Sequence, residues 1–136
     1  MCGFLGKISL DSFSDKDLID ANKRIICRGP DETKFLNQNN LDQGKIFFSF
    51  VFNRLSIIDL TDTASQPMVS NNKENLMMFN GEIYNYKELK AILLSKGVTF
   101  NSKNSDTEVL LKGLSVFGLD FINNIIGQFA IAFYDI

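Results

Sequence analysis

The order of strand-like and helix-like segments most constrains what this 136-residue chain can fold into. Apolar, β-branched and aromatic runs predict strands at 2–8, 45–52, 54–60, 75–79, 98–100 and 128–136. Helical spacing of apolar residues predicts helices at 14–26, 85–96, 105–117 and 119–126. Strands and helices come in blocks rather than in strict alternation, which predicts an α+β fold with helices on the outer faces of antiparallel sheets.

Short polar motifs predict where several of these elements begin and end. Asn85 and Ser105 each precede a helix and have a glutamate three residues further on, which is the pattern of a capping box. Asn80-Gly81 is typical of a tight turn after the strand at 75–79. The polar, asparagine-rich stretch 35–45 is predicted to be a loop or a weak hairpin.

Composition excludes several classes of function. The chain has no histidine, which removes Ser-His-Asp and Cys-His catalysis, and its two cysteines cannot build a four-cysteine zinc site. A formal net charge of −2, without a block of lysine or arginine, argues against a nucleic-acid-binding surface. The sequence has neither a run apolar enough to span a membrane nor a secretory signal pattern, so we expect a cytoplasmic protein.

Cys2 is the candidate nucleophile. A small second residue allows an aminopeptidase to remove Met1, which would leave Cys2 with a free α-amino group. That amine can take the proton of the thiol near neutral pH, so nucleophile and base would belong to one residue. The alternative is an ordinary small residue at the start of an edge strand, and these first residues alone favour that alternative.

Four stretches further define the chain, and a fifth, Arg28-Gly29-Pro30-Asp31, lies between them. The four are Met1-Cys2-Gly3-Phe4-Leu5-Gly6, Arg54-Leu55-Ser56-Ile57-Ile58-Asp59, Phe79-Asn80-Gly81-Glu82-Ile83-Tyr84-Asn85-Tyr86 and Ser105-Asp106-Thr107-Glu108. Together, and in this order, they resemble the glutaminase domain of glutamine-hydrolysing asparagine synthetase, a class II glutamine amidotransferase and N-terminal-nucleophile hydrolase. The resemblance covers residues 1–136 and implies a four-layer αββα sandwich of antiparallel sheets.

The resemblance implies three catalytic residues. Cys2 would attack the side-chain amide of L-glutamine and form a thioester. Asn80, through its side-chain amide, and Gly81, through its backbone N–H, would donate to the oxyanion. The residues alone allow a plainer interpretation, in which Asn80-Gly81 is only a turn.

The resemblance also implies a set of residues that bind glutamine. Arg54 would bind the α-carboxylate, since a guanidinium offers two parallel donors, although an arginine in this position is commonly a surface cation. Asp106 would bind the α-ammonium, although it can equally be a charge at a helix start. Backbone groups of three further residues would complete the pocket: Leu55, Ile57 and Glu82.

Two departures from the family pattern concern single residues. The family usually has a histidine before Arg-Gly-Pro-Asp, where this chain has Cys27, and often another before Arg-Leu-Ser-Ile, where it has Phe52-Asn53. Neither histidine is the general base, so the mechanism does not depend on them. We expect Cys27 to take the place of its histidine in packing, and a redox-active thiol is the less favoured alternative.

A larger departure concerns the end of the sequence. Family members continue past the strand at 128–136 with further strands and with a synthetase domain that activates aspartate with ATP. We therefore expect residues 1–136 to form a partial glutamine amidotransferase type 2 domain, incomplete at its C-terminal end and without that synthetase domain. No cofactor or metal is expected for the glutaminase half, whereas ATP and Mg²⁺ are expected with the synthetase domain.

Other functions stay open at this point. The chain could be an inactive module that binds glutamine or forms a homodimer, or a glutaminase whose ammonia goes to a cell-surface sugar acid. Another class II amidotransferase is a further alternative, but Arg54-Leu55-Ser56-Ile57-Ile58-Asp59 followed by Gln66-Pro67 favours the asparagine synthetase branch. The expected partners are thus L-glutamine and a synthetase domain in the parent chain.

Overall fold

The computed structural model describes residues 2–12, 14–41, 46–56, 65–72 and 74–135, and the side chains of 37–41 are not described. The chain divides into two compact units, Met1–Ser56 and Ile57–Asp135. Each unit contains helical segments and an antiparallel sheet, which confirms the predicted α+β class. The four-layer order of the sandwich stays a prediction. Within the described ranges, no helix is long and apolar enough to cross a membrane.

The first unit is a three-stranded sheet with a short helix. Its elements are β1 (Gly3–Ser9), α1 (Lys16–Asn22), a 3₁₀ turn (Ile26–Arg28), β2 (Glu32–Leu41) and β3 (Ile46–Arg54). The strand order is β1-β3-β2, so β3 is central, and its residues 48–54 are buried. Gly6 lies opposite Phe50, and a side chain at Gly6 would collide with the Phe50 ring. The glycine in β1 therefore lets an aromatic residue of the central strand pack closely.

The structure decides between the two alternatives for the stretch 35–45. Residues 35–41 are not a loop, because they belong to β2, which pairs antiparallel with β3 from Glu32 to Leu41, and this pairing agrees with the hairpin alternative. A long partner strand supplies ladder hydrogen bonds whatever the side chains, and this outweighs the poor strand propensity of asparagine. The predicted interruption between the strands at 45–52 and 54–60 is wrong, since β3 runs through Asn53 to Arg54. The predicted strand at 54–60 lies largely outside the described residues.

The second unit packs two helices on one face of a sheet. Its elements are β4 (Met68–Val69), β5 (Asn75–Ile83), α2 (Tyr86–Ser95), α3 (Asp106–Phe117), a 3₁₀ segment (Gly118–Asn124) and β6 (Gly127–Asp135). The strand order is β4-β5-β6. The core combines alternate residues of β5 with the inner faces of the helices, namely Met77, Phe79, Ile83, Leu89, Leu93, Val109, Leu110, Leu111, Leu114 and Phe121.

The predicted Asn80-Gly81 turn is wrong. Both residues lie inside β5, where Asn80 pairs with Ala130 and Gly81 with Phe129 of β6. A side chain at Gly81 would collide with the backbone of residues 128 and 129, so this glycine permits a close approach of two strands rather than a reversal. The predicted strand at 98–100 is wrong as well, since these residues belong to no regular element.

The two predicted capping boxes have different outcomes. Ser105 caps α3 as predicted, with its Oγ accepting the Glu108 N–H at 3.1 Å. Asn85 stands at the N-cap of α2 but makes no side-chain cap bond. Its amide instead donates to the Asn124 carbonyl at 2.9 Å and accepts the Ile126 N–H at 2.9 Å. Asn85 therefore ties the start of α2 to the segment that leads into β6.

The Glu108 carboxylate joins α3 to the segment before it. It accepts the N–H groups of Asn101 and Ser102, each at 2.8 Å, and pairs with Lys112 at 2.7 Å. The side chain is 7% exposed, so these partners replace water almost completely. Burial alone would raise the pKa of Glu108, but the Asn101 N–H, the Lys112 ammonium and the Ser102 donors outweigh it and hold the pKa below its ordinary value.

We expect Glu108→Gln to lower the free energy of unfolding by about 2 kcal/mol at pH 7, because charge-assisted bonds are lost. Since the folded-state pKa is lowered, the stabilisation is fully present above the ordinary value of 4.5 and is lost as pH falls through the folded pKa. Urea titrations of both proteins at pH 7 and in acid measure this difference. The exposed Glu88→Gln is the matched control, and a Glu108→Gln deficit that persists unchanged in acid would contradict the role of the charge.

Candidate active site

The sulfur of Cys2 lies against the backbone of Leu55. The Leu55 N–H donates to Cys2 Sγ at 3.3 Å, and the thiol reaches the Leu55 carbonyl at 3.6 Å. Cys2 is partly exposed and immediately precedes β1, whereas Leu55 immediately follows β3. The antiparallel pairing of these two strands, with Gly3 opposite Asn53, thus brings the N-terminal cysteine beside Arg54-Leu55.

The Arg28-Gly29-Pro30-Asp31 motif contacts the backbone of Cys2 and the backbone of β3. Arg28 Nε donates to the Cys2 carbonyl at 3.2 Å. Gly29 is buried against the carbonyl of Asn53, where any side chain would overlap the β3 backbone. The turn can therefore pass this close to β3 only with glycine at this position.

Asp31 braces the segment that holds the sulfur. Its N–H donates to the Arg54 carbonyl at 3.1 Å, and its carboxylate accepts the Ser56 N–H at 2.7 Å. These bonds flank Leu55 on both sides. Asp31 therefore fixes the backbone around Leu55.

Arg54 is a buried cation at the end of β3. Its side chain is 9% exposed, and Nη1 lies 3.7 Å from a carboxylate oxygen of Glu32, the residue opposite it on β2. The surface-cation interpretation is therefore wrong. A guanidinium held here presents a planar fork of donors that suits a carboxylate.

Asn53 and Cys27 occupy the positions where the sequence departs from the family pattern. Asn53 is fully buried, with its amide donating to Asn22 at 2.6 Å and accepting from Thr33 at 2.9 Å. It therefore links α1, β2 and β3 at the residue that precedes Arg54. Cys27 is exposed, so the expectation that it fills a packing position is wrong.

One edge of β5 in the second unit carries three successive features. Gln66 forms two bonds with the backbone of Phe79, accepting its N–H at 2.6 Å and donating to its carbonyl at 3.0 Å. Four residues on, the Ile83 N–H donates to Asp106 Oδ2 at 3.2 Å. Backbone groups of alternate strand residues face the same edge, so the Gly81 N–H points away from β6 and between these two contacts.

Asn80 projects from the face of the sheet opposite to the helices. Successive strand side chains alternate between faces, and Phe79 and Ile83 pack in the core with α2 and α3. Asn80 itself is partly exposed. Its side-chain amide and the Gly81 N–H are thus two neighbouring donors at one point of β5.

Asp106 opens α3 and is partly buried. Burial raises the pKa of Asp106 above its ordinary value of 3.8, and the N–H groups of Ile83 and Thr107 offset only part of that effect. Thr107 N–H donates to Oδ1 at 2.8 Å. The carboxylate is therefore held by backbone donors on both oxygens, in a setting that favours a cationic partner.

The remaining predicted positions differ in what can be said of them. Glu82 is an exposed residue of β5 opposite Gln128, and Ile57 lies outside the described residues. The roles of Leu55, Ile57 and Glu82 toward glutamine stay predictions. Across the part of the chain that the structure describes, no three His, Cys, Asp or Glu residues form a group that could hold a metal ion.

Comparison with known proteins decides the family. The sequence model of the glutamine amidotransferase domain family matches residues 1–136 of this chain. The chain belongs to this family. Three relatives of this amidotransferase domain are two glutamine-hydrolysing asparagine synthetases of Bacillus subtilis, numbered 1 and 2, and a putative asparagine synthetase 2 of Methanocaldococcus jannaschii.

The similarity covers nearly all of this chain and a small part of each relative. Identity is 37% over 135 residues and 36% over 143 residues for the two Bacillus proteins, and 33% over 150 residues for the archaeal protein. Between 96% and 99% of this chain is covered. The chain spans 20%, 17% and 28% of the lengths of these three relatives.

The contacts of two residues of the amidotransferase domain were not predicted from the sequence. Asp31 braces Leu55, and Gln66 pairs with Phe79. The motifs drew attention to both positions, since Asp31 ends Arg-Gly-Pro-Asp and Gln66 belongs to the Gln-Pro pair. Their partners could not be predicted from local patterns, because each contact joins residues more than ten positions apart.

Proposed function

We propose that this glutamine amidotransferase domain hydrolyses L-glutamine to glutamate and ammonia through a thioester on Cys2. The observation that carries the proposal is the position of the Cys2 sulfur, which receives the Leu55 N–H beside the buried Arg54. A nucleophile at the same end of the sheet as a buried guanidinium suits a substrate with both a carboxylate and a scissile amide. The description of the matching family supports glutamine as that substrate.

The proposed reaction needs no base other than the nucleophile's own amine. After removal of Met1, the α-amino group of Cys2 takes the thiol proton as Sγ bonds to the side-chain amide carbon of glutamine. The carbonyl electron pair moves onto oxygen, and the C–N bond then breaks as the proton passes to nitrogen and ammonia leaves. Water attacks the thioester, the C–S bond breaks, and glutamate and the thiol are released.

Each charged part of the reacting glutamine has an assigned partner. Asn80 Nδ2 and the Gly81 N–H donate to the oxyanion in the transition state. Arg54 binds the α-carboxylate and Asp106 binds the α-ammonium. Backbone groups complete the substrate contacts at Leu55, Ile57 and Glu82.

We assign the released ammonia to an asparagine synthetase-type reaction, in which ATP and Mg²⁺ activate aspartate. The names of the relatives support this acceptor, and those steps are assigned to the part of such proteins that the chain does not span. A sugar acid is the competing acceptor. Consumption of glutamine that depends on aspartate in the parent protein would support the first, whereas dependence on a uronic acid would support the second.

Asp106→Asn is expected to raise the KM for glutamine by about 10- to 100-fold, because a charge-assisted contact with the ammonium is lost. The raised pKa of Asp106 also sets a pH dependence. The carboxylate takes up a proton at a higher pH than an ordinary aspartate, so the KM of the unsubstituted protein rises as pH falls through that pKa.

Glutamate release, measured against glutamine concentration and pH, tests both effects. The exposed Asp120→Asn is the matched control and should retain the KM of the unsubstituted protein. Asp106→Asn should show a KM that no longer rises in acid. An unchanged KM in Asp106→Asn would remove this residue from the binding site, and binding of glutamine without any hydrolysis would contradict the proposed function itself.

A further inference from the structure

We propose that Gln66 is a positioning residue that holds Asn80 and Gly81 in place for the oxyanion, and this inference rests on the proposed function. Gln66 is 5% exposed, so its side-chain amide depends on protein partners. Both of its contacts go to one residue, Phe79, which immediately precedes Asn80. The proposed reaction scheme gives Gln66 no role, although Gln66 contacts the residue next to the oxyanion donors.

The side-chain amide of Gln66 continues the β4–β5 ladder beyond the end of β4. Met68 and Val69 pair with Met77 and Leu76, so the next residue of β5 whose backbone faces β4 is Phe79, and this register places Gln66 opposite it. β4 begins only at Met68, and both bonds from Gln66 to Phe79 come from the side chain. A side-chain amide presents an N–H donor and a carbonyl acceptor in one plane, as a peptide group does. It therefore supplies the two bonds that a longer β4 would make.

Those two bonds hold the peptide groups on both sides of Phe79, and one of these groups directly precedes Asn80. The Phe79 carbonyl that accepts from Gln66 belongs to the peptide bond between Phe79 and Asn80. On the other side of Gly81, the Ile83 N–H is held by Asp106. β6 pairs with this segment along one edge of β5, and on the opposite edge two side chains, Gln66 and Asp106, anchor its two ends.

Anchoring of this kind matters for rate because oxyanion donors must be aimed before the reaction begins. Removal of one such donor costs about 10²- to 10³-fold in kcat, and a displacement of about 1 Å can cost about 10²-fold. Loss of Gln66 should leave Arg54 and Asp106 in place. The expected signature is therefore a fall in kcat without a matching rise in KM.

Gln66→Met keeps the length of the side chain and removes both bonds to Phe79. Asn75→Leu is the matched control, because Asn75 is a second buried side-chain amide, at the end of β5 away from Asn80, bonded to Asp135 at 2.6 Å and to Ser115 at 2.7 Å. Both variants should lower the melting temperature. Only Gln66→Met should lower the kcat of glutamine hydrolysis, by about 10- to 100-fold, with KM changed less than about threefold.

Amide hydrogen exchange on the full chain gives a readout that does not need turnover. In Gln66→Met, exchange at the Phe79 N–H should rise at least about tenfold, while the Met78 N–H keeps its protection. Unchanged exchange at Phe79, or equal kcat losses in Gln66→Met and Asn75→Leu, would overturn the positioning role alone. Absence of Cys2-dependent hydrolysis in the unsubstituted chain would overturn the proposed function, and the role of Gln66 with it.

Discussion

Cys2→Ala should abolish glutamine hydrolysis, with kcat reduced by about 10⁶-fold, which is the size of loss seen when a catalytic nucleophile is removed. The proposed scheme has one nucleophile, and its sulfur is held by the Leu55 backbone in the first unit. Alanine removes the sulfur that forms the thioester in this scheme. Glutamate release under saturating glutamine measures the effect.

Cys27→Ala is the matched control for this substitution. Cys27 is the other cysteine of the chain, and its exposed side chain lies in the 3₁₀ turn rather than at the start of β1. Its kcat and KM should equal those of the unsubstituted protein. Hydrolysis that survives Cys2→Ala, or that is lost with Cys27→Ala, would mean that the nucleophile has been assigned to the wrong residue.

Asn80→Ala is the prediction with the second largest effect. Its side-chain amide projects from β5 beside the Gly81 N–H, and the alanine variant leaves that N–H as the single assigned donor to the oxyanion. We expect kcat to fall by about 10²- to 10³-fold. The KM should change little, because the donor is used in the transition state rather than in the bound substrate.

Steady-state kinetics of Asn80→Ala should be compared with those of Asn71→Ala. Asn71 is an exposed asparagine in the turn between β4 and β5. Its replacement therefore removes the same side-chain amide from a position outside β5. The control should match the unsubstituted protein in kcat. A loss in Asn80→Ala that appears only as a raised KM would reassign Asn80 to substrate binding.

The sequence predicted those parts of the fold that depend on local chemistry. Ser105 caps α3 through the Glu108 N–H, and Gly97 follows α2 with a φ of 83° that suits glycine. The strand at 128–136 is present as β6. These features need only residues within a few positions of one another, and local patterns encode them directly.

The errors arise where a distant partner decides the conformation. Asn80-Gly81 is extended because β6 supplies a ladder partner, and the asparagine-rich β2 is a strand because β3 lies beside it. The Asn85 side chain makes no cap bond because its amide is bonded instead to the Asn124 carbonyl and the Ile126 N–H. A local sequence pattern identifies the residue but not the distant strand or segment that contacts it.

In the candidate site, too, local motifs indicate individual residues, whereas the contacts between distant residues could not be predicted. Cys2, Arg54 and Asp106 could be proposed as site residues from the sequence because each lies in a recognisable motif. The contacts that orient them could not, because the Cys2–Leu55, Arg54–Glu32 and Asp106–Ile83 contacts each join separate elements. The raised pKa of Asp106 likewise comes from burial that no local pattern shows.

The most direct test is intact-mass analysis of the purified chain after treatment with a diazo-ketone analogue of glutamine, which alkylates an activated thiol. The expected result is a chain that lacks Met1 and carries one adduct on Cys2, with labelling slowed by excess glutamine. Such a result would show that the amine is free and that the thiol reacts in a pocket that recognises glutamine. A retained Met1, an adduct on Cys27, or processed protein without any adduct would contradict the assignment of Cys2 as the N-terminal nucleophile of a glutaminase.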